Sequence, residues 1–595
     1  MGSIADHGEW LARFESALAD PGAADWRGLF ADECYWRDLL AFTWNIVTLE
    51  GSAAIAHMAR RQGPVLAASA FRLDPAMPGG DGGWFDFETA SARCKGHVEL
   101  KDGRCFTLLT AMIELKGFEE PAGRTRIDGL EHRAIRKRRT WLDEREAEAR
   151  SLGHDRQPYC LIVGAGQNGL ALAARLKRLS VPTLVIDAHE RPGDAWRKRY
   201  KTLYLHDPIW LDHFPYLPFP DHWPLYTSKD KMGDWLEAYA KVMELNVWGS
   251  TVCNKARFDE VRGEWEVTVE REGQTLTLRP TQLVLATGLS GGKHLPAIPG
   301  ADSFKGRQYH SADHPGGEDM AGRRCVVIGS NNSAHDICVD LWENDAASVT
   351  MIQRSPTIVV RAETMRTLSA DIPYARKDFP TDAADLLGAV TPYRLRAGIE
   401  VAGTSYIRDL DADFYQRLEA SGFRLWNGED ESGFFMAYFR RAAGYYIDVG
   451  GSELIIQGEI ALRSGEIAAI EPEGVRMADG VLPPADLIVY ATGYRPMSEW
   501  AARLISPEAE ARIGPCWGLG SGMAGDPGPW EGELRNMWKP TRQPNLWFQG
   551  GNLAQARFHS LHLALQIKAR MEGLPTPVYW LGQSAAAEAP EPALA

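Results

Sequence analysis

The stretch YCLIVGAGQNGLALAARLKRLSVPTLVIDA, residues Tyr159–Ala188, decides the fold. Cys160–Val163 is a short apolar run that reads as a buried strand, and Gly164, Gly166 and Gly169 follow it in G-x-G-x-x-G spacing. Leu170–Leu179 then carries helical periodicity, and Leu184–Ile186 reads as a second strand ending in Asp187. Each glycine has a physical task. Gly164 makes the tight turn, Gly166 lets a pyrophosphate approach the backbone, and Gly169 lets helix pack on strand. The helix N-terminus offers unpaired N–H groups and a positive dipole end to the phosphates. Asp187, about twenty residues on, can accept from ribose hydroxyls.

A second strand–turn–helix unit lies at RRCVVIGSNNSAHDICVDLWEN, Arg323–Asn344. Cys325–Ile328 is its strand, and Gly329, Asn331 and Ala334 take the three glycine positions. Asn is the non-glycine residue that best tolerates left-handed backbone, which makes Asn331 a workable replacement. Asn332 and Ser333 open the helix and complete the expected phosphate turn. The next strand, Val349–Ile352, runs into Gln353-Arg354-Ser355 rather than an acid. Arg354, with Ser355 beside it, can pair with the 2′-phosphate of NADP, which an acid would repel. NADPH is therefore favoured, with NADH still open. Two apolar runs end alike, at Ala286-Thr287-Gly288 and at Ala491-Thr492-Gly493. They bracket the second glycine turn, as expected of a chain that leaves one nucleotide-binding domain for another and returns; Thr492 is counted with the second dinucleotide.

Working outward, the chain of 595 residues has material for three or four domains. Its hydrophobic content of 45% and charged content of 24% are ordinary for a soluble protein. A formal net charge of -14 argues against a nucleic-acid partner. The N-terminus has no basic region followed by an apolar run, and Asp6 stands where myristoylation needs Ser or Thr. No stretch approaches the ~18 apolar residues of a membrane span. The eight cysteines are scattered, without a Cys-x-x-Cys pair, so a reducing cytoplasm is the expected compartment. No metal site is expected.

The expected fold class is α/β: two doubly wound, Rossmann-like dinucleotide-binding domains, one inserted in the other, plus an N-terminal α+β cone-like domain. The N-terminal domain spans 1–130. Helical patterns around Trp10–Leu18 and Trp26–Phe30 precede hairpins with Asp102-Gly103 as a two-residue turn. Residues 131–157 form a charged helical linker. The first dinucleotide domain comprises 158–305 and 481–575, and the second 306–480, with an insertion at about 363–446. Residues 576–595 form a tail, Pro/Ala-rich at its end.

In FKGRQYHSADH, Phe304, Gly306 and His310 match the signature F-x-G-x-x-x-H, and the segment ends in His314. On these residues, together with the two glycine turns and the two Ala-Thr-Gly ends, the chain from about Tyr159 to Arg570 resembles the flavin-containing monooxygenase family. This is the wider group of class B flavoprotein monooxygenases that includes the Baeyer–Villiger enzymes. A terminal His, where ordinary members have Tyr or Phe and Baeyer–Villiger enzymes Trp, resembles the bacterial type II subgroup. That subgroup carries an N-terminal extension and often accepts either nicotinamide.

The resemblance implies FAD on the first turn and NADPH on the second, hydride transfer to FAD, and capture of dioxygen as a C4a-(hydro)peroxyflavin. One oxygen then passes to a small organic molecule by S- or N-oxidation or by Baeyer–Villiger oxidation of a ketone. Water must be kept from the oxygenated flavin. The cofactor carries the chemistry, so no clean acid/base pair need appear. His206, His310 and His314 are the catalytic candidates. His206-Asp207 stands where animal members have an Asn near flavin and peroxide, and a neutral His206 could donate there. His310 can alternatively tie the linker between domains. On the flavin side stand Asp207, Trp196 and Gln555. Trp196 is either core or an aromatic contact near the flavin, and Gln555 sits with Asn552 at the start of a helix aimed at the flavin ring.

LFADECYWRDLLAFTWNIVTLEGSAAI and the hairpins after it resemble a SnoaL-like cone, in which Asp38 could be a base, although packing or dimerisation is the plainer role. A homodimer stands open. The insertion's aromatics, Tyr374, Tyr393, Phe434, Phe435 and Tyr438, either roof a substrate cleft or pack as core. Two rival functions are an NAD(P)H oxidase or reductase that releases hydrogen peroxide, and a non-catalytic flavoprotein scaffold.

Overall fold

The computed structural model describes residues 4–79 and 82–581. It holds two five-stranded parallel sheets and a separate N-terminal mixed sheet. The first parallel sheet is ordered Leu546–Phe548, Gln282–Leu285, Cys160–Val163, Thr183–Ile186, Val247–Trp248. The helix Gln167–Arg178 crosses from its central strand to the next. The second is ordered Arg307–His310, Leu487–Tyr490, Arg324–Ile328, Ser348–Gln353, Ile460–Ser464, with the helix Asn332–Glu343 as crossover. Their central strands are apolar because both faces are covered. Both glycine turns sit at the carboxyl ends of the strands, where doubly wound folds bind ligands. The fold is the two-domain α/β arrangement expected.

One boundary moves. Leu487–Tyr490 pairs with Arg324–Ile328 in the second sheet, so the chain returns to the first domain after Tyr490 and not at residue 481. The apolar run ending in Ala491-Thr492-Gly493 is the last strand of the second domain, as Gln282–Leu285 is the strand that feeds the first Ala-Thr-Gly.

The N-terminal sheet has six strands in the order Ile46–Glu50, Phe30–Leu39, Arg104–Leu115, Ala92–Lys101, Trp84–Glu88, Ser69–Leu73. The Asp102-Gly103 turn joins its longest hairpin, with φ of +52° and +73°, the left-handed pair a type I′ turn needs. The helix over Trp10–Leu18 runs Ile4–Ala19, whereas Trp26–Leu29 is a single turn, ended where the strand begins at Phe30. Trp10, Phe14, Phe30, Trp36, Phe42 and Phe87 fill the space between helices and sheet. Each such ring contributes roughly 1.5–3 kcal/mol by leaving water.

The linker is helical only over Trp141–Ser151, where Thr140 and Asp143 form a capping box. Residues 131–140 are irregular and mostly exposed. A helix there would stack Arg133 on Arg136 and Lys137, like charges at i+3 and i+4, with no apolar stripe to offset the repulsion. The insertion is a helical layer that includes Thr381–Ala389, Tyr393–Leu410 and Gly433–Arg441. A parallel strand pair, Ile358–Arg361 with Tyr445–Asp448, closes its base.

The expected tail is docked where it begins. Gln62 donates to Pro577 O at 3.1 Å, Asn45 Nδ2 to Tyr579 O at 2.9 Å, and Tyr579 N to Thr43 O at 2.8 Å. The Pro/Ala-rich end, 584–595, lies outside the described residues. No helix among the described residues is long and apolar enough to cross a membrane.

Candidate active site

The two glycine turns are near copies. Gly164 (φ +119°) and Gly329 (φ +132°) make the sharp exits from their strands. A Cβ on either would stand 2.4 Å from Ala286 O or 2.3 Å from Ala491 O. At the second position, Gly166 and Asn331 have matching extended backbone (φ −82°, ψ −172° and φ −95°, ψ −172°). Asn331 therefore does not adopt the left-handed conformation expected of it. A Cβ on Gly166 would meet no atom of the described residues within 4 Å, so the space beside this backbone is open to a ligand. Gly169 cannot carry a side chain, since its Cβ would stand 1.9 Å from Gly164 O.

The first turn fits the dinucleotide expected on it. The helix Gln167–Arg178 begins without a side-chain cap, leaving its first N–H groups to an anion. The Thr287 hydroxyl is buried without a partner among the described residues. Asp187 is already engaged, accepting from Ala165 N at 2.6 Å and His189 N at 2.7 Å, so it fixes the turn. Each carboxylate oxygen has a lone pair left for a ribose.

At the second turn, Asn332 Oδ1 accepts from Ile447 N at 2.9 Å and braces the insertion's strand. Arg354 and Ser355 are exposed at the end of Ser348–Gln353. Sequence reasoning missed Arg424 beside them. The buried Gln353 amide clips both backbone groups of Arg424, at 2.8 and 3.0 Å, and Arg424 Nη1 donates to Arg354 O at 3.1 Å. The clip joins residues far apart in sequence, so no local pattern announces it. Thr492 Oγ1 donates to His294 O at 2.5 Å, inside the joint between domains.

One cavity of about 620 Å³ opens onto both turns. Gln167 lines it from the first helix, and Asn331, Asn332 and Ser333 from the second. The start of the helix Leu553–Met571, from Asn552 to Gln555, also faces it. Here Gln555 is a cap. Its N–H donates to Asn552 Oδ1 at 2.9 Å, and its Oε1 accepts from Asn552 N at 3.2 Å and from the Tyr438 hydroxyl at 2.5 Å. Trp196 lines the cavity, its indole N–H donating to Gln167 Oε1 at 3.0 Å. All five aromatics singled out in the insertion line the cavity as well.

His206 and Asp207 line the cavity, and His206 makes no hydrogen bond to protein among the described residues. Two carboxyls, Asp207 and Asp336, interact with it, and Asp212 interacts with Asp207. Burial pushes Asp207 and Asp336 above the usual carboxylate range, and the charge of His206 acts on both in the opposite sense. Asp212 is pushed well up, by burial first and by Asp207 second. The Tyr200 hydroxyl donates to Asp336 at 2.6 Å.

His310 and His314, expected as catalytic, do not line the cavity. Both are buried. His310 Nε2 bonds Gly493 O at 2.9 Å and Nδ1 accepts from Ala312 N at 3.1 Å, so neither ring nitrogen is left over. His314 Nε2 meets Asp340 Oδ2 at 2.7 Å and its Nδ1 meets the Tyr309 hydroxyl at 3.0 Å. These rings tie the segment entering the second domain to that domain's last strand and crossover helix. Asp38 is likewise structural. It is fully buried, accepts from Phe42 N, Thr43 N and the hydroxyls of Thr43 and Thr110, and burial raises its carboxyl to about 6. Arg199 was missed. It lines the cavity with its Nε buried and without a hydrogen-bond partner among the described residues; its guanidinium lies 5.6 Å from the Tyr494 ring centre and 5.8 Å from that of Tyr200, and its charge acts on Asp336.

Comparison with known proteins gives the family and the fold. Residues 188–375 match the family described as flavin-binding monooxygenase-like. The probable indole-3-pyruvate monooxygenase YUCCA8 of Arabidopsis thaliana is 31% identical over 341 residues, 56% of this chain and 74% of the relative. Cyclohexanone monooxygenase, in its ε-caprolactone-bound crystal structure, aligns with a TM-score of 0.51 at 19% identity, covering 70% of this chain and 88% of that one. The crystal structure of OTEMO in complex with FAD and NADP aligns with a TM-score of 0.50 at 19% identity, covering 70% and 86%. The solved structures share the fold; the plant relative, with the family model, carries the descent, and by it this chain belongs to the flavin-binding monooxygenase-like family.

Proposed function

We propose that the chain is an FAD-dependent monooxygenase that takes electrons from NADPH and passes one atom of dioxygen to a small organic molecule of aromatic or apolar character. The observation that carries this reading is the single cavity bordered by both glycine turns and by the N-terminus of Leu553–Met571. Such a cavity lets two bound ring systems meet, which hydride transfer requires. FAD, when bound, supplies two-electron acceptance from the nicotinamide and activation of dioxygen.

The chain's own residues do the rest. The uncapped start of Gln167–Arg178 holds one pyrophosphate and the start of Asn332–Glu343 the other. Arg354 and Arg424 suit a 2′-phosphate, and Arg199, with no salt bridge among the described residues, suits a further anion at the cavity wall. The capped N-terminus of Leu553–Met571 favours negative charge at the flavin ring. His206 presents a polar ring at the cavity wall, next to carboxyls that burial raises above the usual carboxylate range. The aromatic insertion excludes water and receives the substrate.

Steady-state turnover with a thioether, a tertiary amine and a strained cyclic ketone tests the reading. Oxygenated product formed in step with NADPH use supports it. Hydrogen peroxide as sole product with every substrate would favour an oxidase, and failure of NADPH to bleach the flavin a scaffold.

A further inference from the structure

The N-terminal domain lies outside the segment matched by the family model, yet one of its side chains reaches the cavity. Arg37 stands on the strand Phe30–Leu39. Its Nε donates to Glu533 Oε1 at 2.7 Å, its Nη2 to Glu533 Oε2 at 3.0 Å, and its Nη1 to Ala389 O at 2.9 Å. The guanidinium carbon lies 5.0 Å from the centre of the Tyr393 ring. The Arg37 and Glu533 side chains are 5% and 3% exposed, and Thr48 Oγ1 donates to the same carboxylate at 2.8 Å. One planar group thus joins three separate parts of the chain: the N-terminal domain, the insertion and the segment before Leu553–Met571.

A second tie runs alongside. Glu50 pairs with Arg394 at 3.2 Å and accepts from the Trp530 indole at 2.6 Å, while the Arg394 guanidinium lies 4.1 Å from that ring's centre. Ala389 and Tyr393, which Arg37 touches, line the cavity, and so do their neighbours Gly388 and Arg396. Burial first, then His562 and the charge of Arg37, disfavour protonation of His559, a further lining residue.

A bidentate guanidinium–carboxylate pair fixes distance and plane together. A buried pair of this kind adds little net stability against apolar replacements, but it sets geometry. We propose that the N-terminal domain closes the substrate end of the cavity, and that Arg37 is the positioning residue that sets the chamber's size by holding the Ala389–Tyr393 turn against Glu533. The proposal rests on the monooxygenase reading above, whose separate check is reduction of the wild-type flavin by NADPH.

The test uses the full-length holoenzyme and two probes, acetophenone and the bulkier benzophenone. Dissociation constants are read from the change each makes in the flavin spectrum. Wild type prefers the smaller probe. Arg37→Met lets the turn relax, so that preference falls at least about tenfold, with the full FAD complement retained. General destabilisation would weaken both probes alike. Should Arg37→Met not purify folded, the double variant Arg37→Met/Glu533→Met removes both charges and is read in the same way. A preference within about threefold of wild type, or a wild-type enzyme that NADPH reduces but neither probe binds, overturns the proposal.

Discussion

The α-carbon of Gly329 lies against the backbone carbonyl of Ala491, so closely that a methyl group there would meet the oxygen at 2.3 Å. Gly164 and Ala286 repeat the relationship at 2.4 Å. Each Ala-Thr-Gly end is thus the lid of its own glycine turn, and the strand before it must belong to the same sheet. That is the physical reason for two such ends in one chain.

The repeat predicts separable losses. Alanine at either glycine is strained by its positive φ as well as by the clash, at a cost of roughly 1–3 kcal/mol for the backbone alone. Gly164→Ala should purify largely without FAD. Gly329→Ala should keep FAD but be reduced slowly by NADPH. Flavin content and anaerobic reduction rates separate the two; a fully loaded Gly164→Ala protein would contradict the assignment of the first turn.

Arg354 and Arg424 present two exposed guanidinium groups at the end of one strand. Removing either should raise KM for NADPH by about tenfold while changing KM for NADH by less than about threefold, since only the former carries the 2′-phosphate. Equal effects on both nucleotides would remove the phosphate role from this pair.

Burial holds His335 and His562 at about 3 and drives His559 well below the ordinary value of 6.5. All three are neutral in the folded chain near neutral pH, whereas an unfolded chain protonates them near 6.5. The unfolded state therefore binds more protons below that value, and stability falls as pH drops from 6.5 toward 3. Three rings together give about 4 kcal/mol per pH unit. Asp38, Asp207, Asp212 and Asp336, raised by burial, oppose this because the folded state takes up their protons first. His335→Gln isolates one ring. Its stability should depend on pH less steeply by about 1.4 kcal/mol per unit between about pH 6 and 4. Urea denaturation at several pH values measures this, and parallel curves for variant and wild type would refute it.

His206 and His310 should part company. His206→Ala should raise the fraction of NADPH electrons lost to hydrogen peroxide, because a polar group at the cavity wall is gone. His310→Ala leaves the Gly493 carbonyl and the Ala312 N–H without partners and should lower thermal stability by about 1–3 kcal/mol. Peroxide yield and thermal unfolding, measured on both variants, decide; a stable His310→Ala protein with high peroxide yield would reverse the roles.

Much of this was legible in the residues. Cys160–Val163 is a strand with the bounds read from it, because four apolar residues before a glycine turn admit little else. Asp102-Gly103 is a hairpin turn because few dipeptides tolerate two left-handed conformations in succession. Asn331 misled because the second position is extended in both turns, and a residue type alone does not reveal that backbone conformation. Arg424 and Arg37 were silent for another reason. Each acts through a partner 70 or more positions away, Arg354 and Glu533, and no local periodicity encodes such a meeting. His310 and His314 stood out through a motif, yet their partners give them structural work: His310 ties to Gly493 O on the chain's return between domains, the alternative the sequence also offered, and His314 braces Asp340 within the second domain.

On the proposed function, two dinucleotides held on separate turns bring their rings together in one chamber. Anaerobic mixing of the FAD-loaded protein with NADPH tests it most directly, with the visible flavin band as the signal. Complete bleaching is expected within the time of a catalytic turnover, with slow bleaching in Gly329→Ala. A flavin band that persists with both NADPH and NADH at saturating concentration would contradict it.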